Sequence, residues 1–239
     1  MERKEFQAES KRLLELMIHS IYTHKEIFLR EILSNASDAI DKLCYRSLTD
    51  EQVGMKREDF AITIRPDQEA RTLTVSDNGI GMNDTDLEQN LGVIASSGTF
   101  QFRQELDKDA EQGWRWESDG VEGYTIEPCR KDTVGTDIIM HLKADEEPEE
   151  YSQYLQEHTL QRLVKKYSDY IRFPIRMEMT RSKRKEGCPE DKPEYEEIKE
   201  WETLNSMVPL WQRKKSEVTR EEYDKFYQEH FGDFAPPQS

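Results

Sequence analysis

The sequence predicts an α+β fold, a two-layer α/β sandwich with helices laid against a sheet. Three observations predict it. Two amphipathic helical patterns open the chain, strand patterns with a period of two follow, and helices and strands then mix without a regular strand–helix–strand rhythm. At 239 residues the chain can build one sizeable core and a short additional module.

Residues 5–22 carry Phe6, Leu13, Leu14, Met17, Ile18 and Ile21 at helical spacing. A second helix is predicted over 25–46, with Phe28, Leu29, Ile32, Leu33, Ala36, Ala39, Ile40 and Leu43 on its apolar side. The period then changes to two: Phe60, Ile62 and Ile64 alternate with polar neighbours, as do Leu73 and Val75 after a turn at Pro66-Asp67-Gln68-Glu69. Asn83 is a candidate N-cap, with Asp86 in the first turn of a helix carrying Leu87, Leu91 and Ile94. Further strands are predicted over 121–127 and 134–142, then a helix over 149–167 and a strand over 171–180. Pro174 lies inside that last stretch and predicts an edge strand or a bulge.

Residues 181–200 are dense in charge and read as a solvated linker or a hairpin tip. Thr219-Arg220-Glu221-Glu222 has the form of a capping box that opens a last short helix. The expected organisation is a main domain over 1–180, the charged segment over 181–200, and the start of another module over 201–239. The terminal Ala235-Pro236-Pro237-Gln238-Ser239 reads as a cut rather than a finished domain.

A formal net charge of −16 opposes attachment to DNA or RNA through a basic surface, because the phosphate backbone would be repelled. It leaves room for a nucleotide pocket, in which backbone N–H groups and Mg²⁺ handle the phosphates. Cys44, Cys129 and Cys188 form no C-x-x-C pair, so neither a zinc site nor a disulfide framework is expected. The charged start Met1-Glu2-Arg3-Lys4-Glu5 leads into no apolar signal region and no run is long enough to span a bilayer, so no membrane partner and a cytoplasmic location are expected.

Four short segments carry candidate chemistry. On the second helix, Glu31, Asn35, Asp38 and Lys42 are spaced 4, 3 and 4 residues apart and form one polar stripe. Spacing alone favours an ordinary solvated face. The sharper reading is a wall facing Mg²⁺ and nucleotide, since an Asn oxygen is a hard ligand and a nearby Glu can activate water. Asp77-Asn78-Gly79-Ile80-Gly81-Met82 follows a strand and precedes a helix. It reads equally as a plain turn or as an Asp that accepts from an exocyclic amine, beside glycines that admit a flat ring. Ser96-Ser97-Gly98-Thr99 and Gly135-Thr136 are weak signals separately, as a helix C-cap and a strand start.

The order of these segments resembles the ninety-kilodalton heat-shock chaperone family, of bacterial type, whose N-terminal domain has the Bergerat (GHKL) ATP-binding fold. The matching stretches are residues 26–46, EIFLREILSNASDAIDKLCYR, and 72–99, TLTVSDNGIGMNDTDLEQNLGVIASSGT. The match continues through Trp116-Glu117-Ser118, Gly135-Thr136, Lys165-Lys166-Tyr167-Ser168 and residues 210–219, LWQRKKSEVT, where the family's middle domain begins. The resemblance implies a mostly antiparallel mixed sheet with helices on one face, ATP or ADP with Mg²⁺ as cofactors, and coupling of ATP hydrolysis to client-protein folding. By the same resemblance Glu31 is the general base and Asn35 the Mg²⁺ ligand. Asp77 binds the adenine amine with help from Thr136, Gly81 and Met82 line the adenine pocket, Asp38 and Lys42 form its rim, and Asn90 lies on the ribose–phosphate side. Ser97, Gly98 and Thr99 would belong to the phosphate side.

Two departures from the family pattern bear on function. Ser96 stands where the family usually has a lysine, and between Gln112 and Trp114 the family carries a few dozen further residues, including a glycine-rich phosphate segment of the lid. The expectation is therefore nucleotide binding with little or no turnover, because hydrolysis in the family also needs an arginine from a complete middle domain. Unfolded client proteins and a homodimer belong to the full-length family, and a monomer is expected for this chain. Two alternatives share the fold: a histidine-kinase or topoisomerase-like ATPase, and an interaction module without nucleotide. The acidic charge disfavours the DNA enzymes. His19, His24, His141, His158 and His230 read as surface or packing residues rather than a phospho-acceptor.

Overall fold

A computed structural model describes residues 24–50, 53–91, 112–119, 123–184 and 195–231. The helix expected over 5–22, the segment Ser96–Thr99, Cys188 and the terminal Ala235–Ser239 lie outside the described residues.

The described chain runs through α1 (Ile27–Ser47), β1 (Ile62–Asp67), β2 (Thr72–Asp77), α2 (Asp84–Leu91), β3 (Gly113–Ser118), β4 (Tyr124–Cys129) and β5 (Thr136–His141). It continues through α3 (Glu157–Ser168), β6 (Ile175–Arg184), β7 (Tyr195–Thr203) and α4 (Arg220–Phe231). Five strands form one mixed sheet in the order β5-β2-β1-β6-β7, and β3 and β4 form a separate antiparallel pair. Only the β1–β6 contact in the larger sheet is parallel, with Ile62 opposite Ile175. The architecture is α+β.

Alternation decides the sheet's faces. Ile62, Ile64, Leu73, Val75, Ile175 and Met177 point to one side and are at most 1% exposed. A one-residue slip would bring Thr63 and Arg65 into the same core, so the register is strongly specified. Against this face α1 sets Leu29, Leu33, Ala36, Ile40 and Leu43, and α3 sets Leu160, Leu163 and Val164. Each fully buried aliphatic side chain contributes roughly 1.5–3 kcal/mol. The other face is open among the described residues: Ile139 and Trp201 stay largely exposed, with the Arg65 guanidinium 5.6 Å above the Trp201 ring.

Polar latches hold α1 in place. Tyr167 donates to Glu26 at 3.2 Å, Arg172 pairs with Asp41 at 2.8 Å, and Lys25 pairs with Glu149. Near the end of the chain, Asn205 is a buried clamp. Its Oδ1 accepts from the Ile175 N–H, and its Nδ2 donates to the carbonyls of Ile171 and Phe173. Trp211 then packs edge-on between Tyr170 and Phe226, at 5.1 and 6.1 Å. The capping box at α4 is formed, with Thr219 N–H to Glu222 at 2.8 Å and Glu222 N–H to the Thr219 hydroxyl at 3.2 Å.

Several expectations are corrected. Pro174 does not demote its strand: β6 begins one residue later and lies between β1 and β7. Proline removes a donor but not an acceptor, and the Pro174 carbonyl takes the Ile62 N–H at 2.9 Å. The turn expected at 66–69 falls at 68–71, because Pro66 and Asp67 pair with Leu73 and Thr72, and Arg71 adopts φ 51°. The helix expected from 149 begins at Glu157, after a 3₁₀ turn over Tyr151–Leu155 and an extended Gln156. The strand expected at 121–127 is β4, at 124–129, and its partner β3 was not expected at all. Of the two readings of the charge-dense 181–200 stretch, strand pairing supports the hairpin: 181–184 and 195–200 are paired, from Arg184 opposite Tyr195 to Arg181 opposite Ile198 and on to Met179 opposite Glu200.

Candidate functional site

The site grows from the end of β2, where the alternating pattern puts Asp77 on the buried side in line with Leu73 and Val75. Asp77 is 8% exposed, opposite Ile62 on β1 and Thr136 on β5. Burial is the main influence on its carboxyl and raises its pKa from 3.8 to about 6, against the opposing pull of backbone N–H groups of Gly79 and Thr136. The Gly79 N–H reaches Asp77 Oδ1 at 2.9 Å, an Asx-type turn within the loop. Asp137 adds further upward pressure and Lys131 relieves some of it.

Three close approaches hold this loop. Gly79 lies against the backbone of α1, where an added Cβ would sit 2.5 Å from the Ala39 carbonyl carbon, and the next N–H, of Ile80, bonds the Ala39 oxygen at 3.1 Å. Gly135 has φ +97° and leaves no space for a side chain: a Cβ would fall 1.9 Å from the Asp77 carbonyl oxygen. Gly81, at φ +71°, approaches the Gly135 backbone. The result is a buried carboxylate framed by bare backbone, suited to a flat ring that offers N–H donors.

Contact at Ala39 also relates the loop to the polar stripe. Asn35 and Lys42 are four residues before and three after Ala39, so they flank the loop on the same helix face, with Asp38 beside them. Glu31 is eight residues before Ala39, about 12 Å further along the axis at 1.5 Å per residue. All four side chains are exposed. Glu31 is engaged by Arg30, with Nε at 2.9 Å and Nη2 at 2.5 Å.

Asp77, Gly81 and Thr136 are thus brought together on the side of α1 that carries Asn35, Asp38 and Lys42, and Met82 follows Gly81 in the chain. Asn90 is on α2, where its Nδ2 bonds the Asp86 carbonyl at 2.8 Å within its own helix. Asn83 caps that helix through the Asp86 N–H at 2.8 Å. Ser97, Gly98 and Thr99 lie outside the described residues. Gly79 and Gly135 are the site residues least legible as such: one reads as a turn glycine and the other as a strand start, but their contacts, 40 and 58 residues away in sequence, are not local. A hollow of about 270 Å³ near the end of α3, lined by residues 165–171, contains none of the predicted site residues.

The donor set bears on metal and cofactor. Among the described residues no group of three or more His, Cys, Asp or Glu side chains is placed to hold an ion. The exposed Asn35 side chain offers one hard oxygen beside the loop, and Mg²⁺ in nucleotide sites draws much of its coordination from phosphates and water. Cys44 and Cys129 are free thiols. No helix among the described residues is long and apolar enough to cross a membrane.

A family model described as Hsp90 protein matches residues 153–198 and 184–238. The chaperone protein HtpG of Alkaliphilus oremlandii is 50% identical over 268 positions, covering 99% of this chain and 42% of that protein. HtpG of Clostridium perfringens is 48% identical over 268 positions, with the same coverage, and HtpG of Bacillus subtilis is 48% identical over 264 positions, covering 97% of this chain and 42% of that protein. The chain thus spans less than half the length of these relatives. An alignment of 268 positions against a chain of 239 residues also leaves at least 29 positions of the relative without a counterpart here. Across nearly its whole length, then, the chain belongs to the ninety-kilodalton heat-shock chaperone family, in its bacterial HtpG branch.

Proposed function

We propose that this chain binds ATP and ADP with Mg²⁺ between the Asp77 loop and the polar stripe of α1, as the nucleotide-binding part of an HtpG-type molecular chaperone. The observation that carries the proposal is Asp77: a carboxyl held at the end of β2, 8% exposed, beside glycine backbone that admits a planar ring. A buried charge is costly, the N–H groups of Gly79 and Thr136 offset only part of that cost at Asp77, and an amine donor from a purine supplies a further partner. Thr136, opposite Asp77 across the β2–β5 ladder, supports the same recognition. Met82 and Gly81 line the ring's path. Asp38 and Lys42 form the polar rim, and Asn90 contributes on the ribose–phosphate side together with Ser97, Gly98 and Thr99.

Asn35 supplies the protein oxygen to Mg²⁺. Bound Mg²⁺ would neutralise the phosphate charge, and Glu31, on release from Arg30, would take a proton from the attacking water. The chain is proposed to bind nucleotide with little turnover, because the phosphate side lacks the family's glycine-rich segment. In the whole protein, nucleotide binding would be coupled to the handling of unfolded client proteins by a homodimer.

Calorimetric titration of the chain and of Asp77→Asn with ADP and Mg²⁺ tests this. Binding is expected for the first, with an affinity loss of roughly 100-fold for the second, the scale of losing a charged hydrogen bond and stranding its partner. A folded wild-type chain that binds no ADP would overturn the proposal in favour of a fold that serves as an interaction module.

A further inference from the structure

Asn78, the residue after Asp77, has no role in the reading above, yet its side chain is tied at both ends. Its Oδ1 accepts the Ala61 N–H at 2.9 Å, and its Nδ2 donates to the Asp59 carbonyl at 2.7 Å. The two partners fix the amide's orientation, because the Ala61 N–H can only donate and the Asp59 carbonyl can only accept. The segment it grips is itself anchored. Phe60, between the two bonded residues, is fully buried and meets Phe173 edge-on at 6.1 Å. Just upstream, the Lys56 N–H bonds the Asp59 carboxylate at 2.7 Å and closes a short turn.

Resting on the nucleotide-site reading, we infer that Asn78 is a positioning residue. Its amide fastens the Asp77–Gly81 loop to the Phe60-anchored segment and thereby holds the Asp77 carboxyl where a purine amine can reach it. The physical case is geometric. β2 ends at Asp77, so the sheet ladder no longer holds the chain at Asn78. Beyond that point the backbone hydrogen bond from Ile80 to Ala39 fastens the far side of the loop to α1. The Asn78 amide fastens the near side, and the loop is held on both flanks only while both contacts exist. Without the amide the Asp77–Gly79 turn keeps its contacts with α1 and β5 but loses its tie to the 59–61 segment.

Two variants test this against simple loss of stability. Asn78→Ala removes both bonds, and the isosteric Asn78→Asp keeps an acceptor for Ala61 but sets a carboxylate against the Asp59 carbonyl. Amide hydrogen exchange is measured without ligand, at a temperature where each variant is folded. Exchange is expected to be at least about tenfold faster at Gly79 and Ile80 in both variants, with Val75 and Ile64 unchanged. ADP affinity with Mg²⁺ is expected to fall about tenfold, the scale of one typical hydrogen bond. Unchanged exchange at Gly79 and Ile80, or wild-type behaviour of Asn78→Asp, would overturn the inference, as would wild-type ADP affinity in Asn78→Ala. If the wild-type chain itself binds no ADP, the nucleotide reading fails, and the exchange measurement alone decides whether Asn78 positions the loop.

Discussion

The two walls of the candidate site are built by opposite means. The Asp77 wall is made of backbone: a strand end, three glycines at close quarters, and side-chain or backbone bonds to α1 and to the 59–61 segment. The α1 wall is made of side chains projecting from an exposed helix face, where Glu31 pairs with its own neighbour Arg30. The first is preorganised before any ligand arrives. The second has to be organised by the ligand and its metal. Substitutions in the first wall should therefore change stability as well as binding, and those in the second should disturb binding alone.

The largest expected effect is at Gly135. Gly135→Ala places a methyl 1.9 Å from the Asp77 carbonyl oxygen at a φ of +97°, so the backbone must move. A destabilisation of about 3 kcal/mol or more is expected in urea unfolding, together with loss of ADP binding. If Gly135→Ala unfolds like wild type, the backbone wall is not the rigid element described here.

Asp77→Asn comes next and separates binding from stability. Below pH 4 the carboxyl is protonated in both folded and unfolded chains. As pH rises from 4 to about 6 the unfolded chain ionises first, so wild-type stability falls through that window. The variant is spared this loss. Its stability relative to wild type is expected to rise with pH by up to roughly 3 kcal/mol, most of it gained by pH 7. Binding has the opposite sense in wild type: the carboxylate accepts from the amine more strongly than the protonated carboxyl does, so ADP affinity should fall as pH drops through about 6. Parallel stability curves for the two proteins would remove burial as the origin of the shift.

The α1 substitutions are expected to be milder and to leave the fold alone. Asn35→Ala should weaken ADP binding about tenfold in the presence of Mg²⁺ and little without it, with unfolding stability unchanged within about 0.5 kcal/mol. Equal losses with and without Mg²⁺ would take the metal away from Asn35. The smallest effect belongs to Glu31→Gln. It removes an exposed pair with Arg30 of the kind that contributes about 0–1 kcal/mol, and ADP affinity should stay within about twofold of wild type. A large loss of ADP affinity there would mean that Glu31 contacts the nucleotide directly.

Much of this architecture was legible where the signal is local. The apolar spacing from Phe28 to Leu43 marked α1 to within two residues, and the alternation at Ile62, Ile64, Leu73 and Val75 marked β1 and β2 with the correct buried face. Asn83 and Thr219 identified two helix starts, because a cap and its partner are three residues apart. The pair β3–β4 was harder: Gly-Trp-Arg-Trp-Glu-Ser alternates over only six residues, too few to outweigh the charged text around it. Pro174 misled because its cost depends on whether the ladder needs its missing N–H, and at that position the ladder uses its carbonyl.

By itself the sequence determined α1, β1 and β2 with their buried sides, the starts of α2 and α4, and the presence of an Asp followed by glycines at a strand end. These depend on side-chain period and turn chemistry, which act over a few residues. Only the tertiary structure decided why Gly79 and Gly135 must lack side chains, which segment the Asn78 amide grips, and where along α1 the loop rests. Those facts depend on backbones 17 to 58 residues apart approaching within van der Waals contact or a hydrogen bond, a distance that no local pattern encodes. The same approach buries Asp77, and burial turns an ordinary turn carboxylate into the chemically distinctive group of the site.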